Sequence, residues 1–297
     1  MRLRSSRMEE AVPSKTALRV ALRRAAHQIH DAQPLVFDDP LAVRILGKEF
    51  EQELKRTPDG ANKPFSAGFR AFMVGRARLA EDTLAAGVRE LGVRQYLVLG
   101  AGLDTFACRN PYAEVRVFEV DHPATQAWKK TMLKAAGIVP PGTAKFVAVD
   151  FEKDSLHMRL KAAGFDEAVP TVTAWLGVVP YLTSEAFRAT MRLLGRFAEG
   201  SAVVFDYSQP REVLPPMEQL MLDSLSARVA KAGEPFQLFF TPEQLAEELR
   251  HYGWRVMEDL DGKGLNARYL AERNDGLALR GSAGRLCHAR VDLLKGD

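Results

Sequence analysis

Tyr96–Thr105 reads YLVLGAGLDT, an apolar run that passes directly into a glycine turn and then an aspartate. Such a run suits a strand buried in a sheet covered on both faces. Gly100 and Gly102 let the backbone approach a ligand with no Cβ in the way. Fourteen residues after Gly102 a second strand-like run begins, Arg116–Asp121 (RVFEVD), carrying acids at Glu119 and Asp121. A strand, a glycine turn and an acid at the next strand end are what a nucleotide-like ligand requires. The acid can accept both hydrogen bonds of a ribose diol.

Downstream of residue 95 the pattern is short β-rich runs separated by helical ones. Strands are predicted at 95–100, 115–121, 145–150, 171–178 and 201–207, with helices near 123–136, 154–163 and 184–198. Apolar strands alternating with helices imply a parallel sheet with right-handed crossovers, hence a doubly wound, Rossmann-like α/β fold. Residues 211–232 read as an inserted helix, Thr241-Pro242-Glu243 opens another, and late strands are predicted at 254–260 and 287–293. That makes a mostly parallel seven-stranded sheet, with the last strand a candidate for antiparallel pairing.

Upstream, residues 14–86 read as helical. Ser14 is placed to cap a helix running to His30, and Phe37-Asp38-Asp39-Pro40 to turn the chain into another. A loop is expected over 60–65, then a long helix from 69 to 91 that Gly92 terminates.

Bulk properties exclude several classes. A net charge of +3 over 297 residues does not call for a nucleic-acid partner. Seven basic residues fall in the first 24, and the simplest reading is a frayed tail and a solvated helix face. The two cysteines, Cys108 and Cys287, are too few for a disulfide framework and fit unpaired thiols in a cytoplasmic protein. No apolar run approaches the ~18 residues of a membrane span, and the N-terminus lacks the apolar core of a secretory signal.

Three carboxylates are predicted on one rim of the sheet: Asp104, Asp121 and Asp150, each at or just after a strand end. Asp104 and Asp150 also suit helix capping. Asp121 lies 21 residues past Gly100, close to the ~20 expected of a ribose acid. Glu119 shares its face of the strand and is the fallback. The glycine run separates two cofactors. A dinucleotide fingerprint carries a third glycine, where this chain has Thr105, and Asp104 beside it would repel a pyrophosphate. S-adenosylmethionine has a sulfonium, an ammonium and a carboxylate but no phosphate, so the sequence prefers it to NAD.

The chain resembles the leucine carboxyl methyltransferase family, in particular its bacterial S-adenosylmethionine-dependent branch. The resembling pieces run over roughly 16–210. They are Thr16-Ala17-Leu18 with Arg24-Ala25, Phe37-Asp38-Asp39-Pro40-Leu41-Ala42, Leu99–Thr105, Phe118-Glu119-Val120-Asp121-His122-Pro123, Val149-Asp150 and Pro180-Tyr181-Leu182. The resemblance implies a class I methyltransferase fold, with a helical cap over 1–92 and a cofactor-binding domain over 93–297 carrying an insertion near 211–240. It implies that Gly100, beside the Gly102 already read as a cofactor-facing turn glycine, lies against the cofactor and that Asp121 binds the ribose. It further implies that Asp150 and Phe151 hold the adenine, and that Arg76 pairs with the cofactor carboxylate, with Arg78 the nearby alternative. Many relatives carry a glutamate where this chain has Leu176, which removes one polar contact of the family site.

Methyl transfer from a sulfonium is an in-line displacement that mainly needs alignment and a dry site. The expected reaction is O-methylation of a small molecule or a carboxylate, without a metal. A carboxylate needs no base; a hydroxyl does. Tyr181, Tyr207, Asp206 and His122 lie near predicted strand ends and are more readily structural or binding groups than catalysts. His27 and His30, spaced i,i+3, suit packing better than a metal. Apolar residues of 211–240, among them Met217, Leu220, Met221, Leu222, Leu225, Phe236, Phe239 and Phe240, are candidates to close over the rim. The alternatives are an NAD(P)-binding oxidoreductase and a non-catalytic cofactor-binding relative.

Overall fold

The fold is that of a computed structural model describing residues 14–56, 64–151, 153–231 and 233–292. Seven strands form one sheet: β1 Gln95–Leu99, β2 Arg116–Asp121, β3 Ala144–Ala148, β4 Thr171–Trp175, β5 Ala202–Ser208, β6 Trp254–Leu260 and β7 Gly284–Val291. Their order is β3-β2-β1-β4-β5-β7-β6. Strands β1 to β5 pair in parallel, and β7 runs antiparallel between β5 and β6. This is the doubly wound, mostly parallel α/β sheet of class I methyltransferases. The strand order reverses between β1 and β4, and in such sheets ligands bind beyond the strand ends at that point.

The helices are α1 Lys15–His30, α2 Ala42–Leu46, α3 Lys48–Arg56, α4 Pro64–Glu90, α5 Phe106–Arg109, α6 Pro123–Ala135, α7 Leu156–Ala162, α8 Ser184–Leu194, α9 Pro216–Lys231, α10 Pro242–Arg250 and α11 Gly262–Tyr269. Alternation in β1 divides the core. Leu97 and Leu99 join Phe118, Trp175, Phe187 and Phe205 on the face covered by α7, α8 and α10. Tyr96 and Val98 join Leu79, Leu84, Val117 and Leu265 on the face covered by α4 and α11. Helices α1 and α2 form a further core with Leu103 of the glycine turn and Leu133 of α6.

The expected ends shift for local reasons. β4 stops at Trp175 because Gly177 takes φ +72° and a 3-10 turn follows over Val179–Tyr181. The insertion begins with a 3-10 turn at Arg211–Val213 and becomes α-helical only from Pro216. β7 starts at Gly284, three residues before its expected start, and residue 293 lies outside the described residues. Ser14 caps α1 as expected, its hydroxyl accepting from the Ala17 N–H at 3.1 Å. Thr241 caps α10 in a reciprocal box with Gln244. The basic positions Arg2, Arg4 and Arg7, and residues 60–63 of the expected loop, lie outside the described residues. None of the described helices is long and apolar enough to cross a membrane.

Candidate active site

At the switch point a cavity of about 1230 Å³ opens over the ends of β1 to β4. Arg76, Gly100, Gly102, Asp121, Asp150 and Phe151 all line it. The glycine turn is tied down from below: the N–H groups of Gly100 and Ala101 both donate to the Val120 carbonyl, at 2.9 and 3.1 Å. Gly100 and Gly102 have φ of +68° and +50°. A Cβ on Gly100 would fall 2.4 Å from Val178 Cγ2, and one on Gly102 3.0 Å from Ala17 Cβ. Both positions therefore require glycine by conformation and by space.

Asp121 stands at the end of β2. One carboxylate oxygen accepts the Gly102 N–H at 2.5 Å and the other the His122 N–H at 2.7 Å. The two bonds lock the side chain and leave each oxygen a further lone pair for a diol. Burial raises its pKa, and the two backbone N–H groups oppose the rise. Glu119, the fallback, is buried under α6 against Lys129 and does not line the cavity. Burial pushes its carboxyl up to about 7, with the Lys129 ammonium opposing.

Asp104 lines the cavity and bonds the start of α5, as expected, but its charge is matched from within the protein. Its Oδ1 accepts the Phe106 N–H at 2.7 Å, and its Oδ2 lies 2.6 Å from Arg24 Nη1. Arg24 Nη2 reaches Asp39 at 2.6 Å. Asp39, fully buried, also accepts from the Thr105 hydroxyl at 2.7 Å and faces Arg109, which pairs in turn with Glu81. Burial alone would raise the Asp104 pKa, but Arg24, Lys129 and Arg109 hold it well below the usual carboxylate range. The charge at the glycine turn is thus matched from within, and selection against a pyrophosphate does not come from a bare carboxylate there.

Arg76, on α4, is buried and donates to Asp206 at 3.0 Å. Asp206 also accepts the Gly177 N–H at 2.5 Å, so the arginine sits directly beneath the Leu176–Val178 segment of the cavity wall. Arg78 points away, bonding Asp82 and the Val36 carbonyl, and does not line the cavity. Asp150 receives Lys153 Nζ at 2.8 Å, and Phe151 leaves 58% of its surface exposed at the rim. Leu176 lines the wall; the carboxylate that reaches this segment is Asp206.

The remaining candidates separate cleanly. Tyr207 donates to Asp259 and does not line the cavity. His122 caps α6 through Nδ1. His27 bonds Asp31 and His30 the Leu54 carbonyl, and no metal-holding cluster occurs among the described residues. Met217, Leu220 and Met221 of α9 face solvent rather than the cavity. The insertion reaches it instead through Glu234 and Gln237, with Ser14 and Thr16 of the α1 start opposite. Sequence reasoning passed over Glu234; its only signal was a charged residue set between Gly233 and Pro235 in an otherwise apolar strap.

A glycine cradle, a locked carboxylate, an exposed aromatic face and a buried guanidinium fit the backbone-facing edge, ribose, adenine and carboxylate of S-adenosylmethionine. When bound, that cofactor supplies a methyl group on a sulfonium whose leaving group is a neutral thioether.

Comparison with known proteins agrees. Residues 17–195 match the family model of leucine carboxyl methyltransferase. A Bacillus subtilis protein named "Putative S-adenosyl-L-methionine-dependent methyltransferase YktD" is 31% identical, over 91% of this chain and 96% of its own. A like-named protein of Saccharopolyspora erythraea is 31% identical over 93% of this chain and 95% of its own. Among solved structures, a DUF574 family protein from Streptomyces avermitilis aligns with a TM-score of 0.54 at 16% identity, covering 90% of this chain and 96% of that one. A structure described as a "putative methyltransferase" from Thermobifida fusca aligns at 0.53 and 16% identity, over 92% and 94%. These two share the fold. Nothing in the comparisons favours an NAD(P)-dependent oxidoreductase. The chain belongs to the leucine carboxyl methyltransferase family and is an S-adenosyl-L-methionine-dependent methyltransferase.

Proposed function

We propose that this enzyme methylates an oxygen of a small molecule held in the same cavity as the cofactor. Gly100 and Gly102 admit the cofactor against the backbone, Asp121 takes the ribose hydroxyls, Asp150 and Phe151 take the adenine, and Arg76 takes the carboxylate. The stretch before residue 93 serves as a cap, although α4 within it also packs on β4 and β5. Two unpaired cysteines, Cys108 half-buried and Cys287 buried, accord with a cytoplasmic setting.

The observation that supports an acceptor beside the cofactor is the cavity's size, while the choice of oxygen rests on the family's name. At about 1230 Å³ it exceeds the roughly 300–1,000 Å³ of ordinary single-ligand pockets, so a cofactor and a small acceptor fit side by side. Calorimetry with S-adenosylhomocysteine tests the cofactor half. Incubation with methyl-labelled cofactor and an acceptor library, read by mass spectrometry, tests the rest. Products bearing a new C–O–CH₃ link support the reading; label found only on nitrogen, sulfur or carbon, or only on proteins, overturns it.

A further inference from the structure

The cavity extends beyond the residues assigned to the cofactor. Past the Leu176–Val178 wall its lining is Ser14, Thr16, Tyr181, Glu234 and Gln237. The Thr16 hydroxyl donates to the Glu234 carboxylate, and the Ser14 hydroxyl lies 3.3 Å from Oε1. Tyr181 neighbours both Thr16 and Glu234. Gln237 pins the segment in place: its backbone N–H donates to the Pro180 carbonyl at 2.8 Å and its side-chain amide to the Tyr181 carbonyl at 2.7 Å. Glu234 is thus a half-buried carboxylate oriented by two hydroxyls, and no lysine or arginine among the described residues pairs with it.

Among the described residues, every lysine and arginine lining the cavity already faces an acid. Arg24 lies between Asp39 and Asp104, Arg76 meets Asp206, and Lys153 meets Asp150. Arg76, although paired, is committed to the cofactor carboxylate on the proposed assignment, so a carboxylate acceptor would meet Glu234 with no further cation among the described residues to offset two like charges in a partly dehydrated space. A hydroxyl group instead finds an acceptor in Glu234 and a donor in Tyr181.

On the reading that transfer is to oxygen, we infer that the acceptor is an alcohol or phenol rather than a carboxylate, and that Glu234 is the catalytic residue that takes its proton. The acceptor O–H bond breaks and its proton passes to the Glu234 carboxylate. The acceptor oxygen uses a lone pair to form the new O–CH₃ bond. The S–CH₃ bond breaks and its electron pair stays on sulfur, discharging the sulfonium. The Glu234 carboxyl then releases its proton to water. Two other nearby carboxylates are occupied: Asp206 is ion-paired and accepts a backbone N–H, and Glu81 is held by Arg109. Burial, with Glu234 and Asp206 nearby, pushes the Tyr181 phenol up to about 12, so it donates rather than abstracts.

The test uses the full chain loaded with S-adenosylhomocysteine, and pairs of phenols and benzoates of matched shape. Calorimetry is expected to show phenols binding at least ten-fold more tightly than their benzoate partners. In Glu234→Gln that preference shrinks to within about three-fold, while S-adenosylhomocysteine affinity and melting temperature stay unchanged. With any phenol or alcohol that turns over, Glu234→Gln lowers kcat by roughly 10²-fold or more, in the range of a lost general base. Benzoates binding as well as phenols, neither class binding, or a Glu234→Gln variant with unaltered selectivity would each overturn the inference and leave the cofactor assignment standing. Failure to bind S-adenosylhomocysteine would instead take down the cofactor assignment, and this inference with it.

Discussion

Arg24 Nη1 lies 2.6 Å from Asp104 Oδ2, so a residue of the first helix and the acid of the glycine turn form one ion pair across 80 positions of sequence. The other end of the same guanidinium holds Asp39. Two motifs that look independent in the sequence, the FDDP turn and the GAGLD turn, are thus the two sides of one charged junction. Removing Arg24 takes an ion-pair partner from both Asp104 and Asp39, and breaking a buried pair this way costs about 3–5 kcal/mol. Arg24→Ala should unfold at markedly lower urea than the wild type. An unchanged midpoint would mean that the junction contributes nothing.

The same junction sets an acid limit. The native Asp104 pKa is depressed, so its contribution is fully present above the unfolded carboxylate value of about 3.9 and is lost as pH falls toward the native value. Stability measured by urea denaturation from pH 6 downward should drop below about pH 4. In Asp104→Asn the curve should start lower and fall less. Parallel curves for the two proteins would count against this account.

Asp121→Asn tests the ribose position more sharply than alanine. Asp121 accepts one backbone N–H on each oxygen. An asparagine has one acceptor oxygen, so its NH₂ must face either Gly102 or His122. Affinity for S-adenosylhomocysteine should weaken by at least about 1.5 kcal/mol, roughly ten-fold, as for lost hydrogen bonds to a charged group. Calorimetry reads this directly, and unaltered affinity would move the ribose elsewhere.

Gly100→Ala places a methyl 2.4 Å from Val178 Cγ2 on a backbone at φ +68°. Overpacking of this kind costs about 1–3 kcal/mol, to which the left-handed backbone adds about 1 kcal/mol. The turn should shift into the cavity, and cofactor affinity should fall more than stability does. The double variant Gly100→Ala with Val178→Ala should recover part of the stability, because the added methyl then has space. No recovery would assign the loss to φ alone.

Much of this was legible in the sequence because the relevant signals are local. Buried on both faces, β1 reads as a nearly continuous apolar run, and Asp121 closes β2 at the spacing one crossover demands. The cap of Ser14 and the box at Thr241 are likewise contained within four residues. The ion pair of Asp104 was not legible because its partner lies in another helix; without Arg24 in view the acid seems free to choose a ligand's charge. Helix α11 was missed because Gly262 and Gly264 weaken its start, while Asp261 caps it and Leu265 is buried. Glu234 was passed over because a contact with Thr16, 218 residues away, leaves no periodic trace.

The charged junction also bears on how variants of this enzyme will sort. Arg24, Asp39 and Arg109 are linked through Asp104, Thr105 and Glu81 into one cluster beneath the glycine turn. On the proposed cofactor assignment, damage to any of them would reach the cofactor through Gly100 and Gly102. A saturation screen scored by activity alone would therefore rank these architectural positions beside Asp121. Only a parallel readout of folded protein would tell the foundation from the binding site.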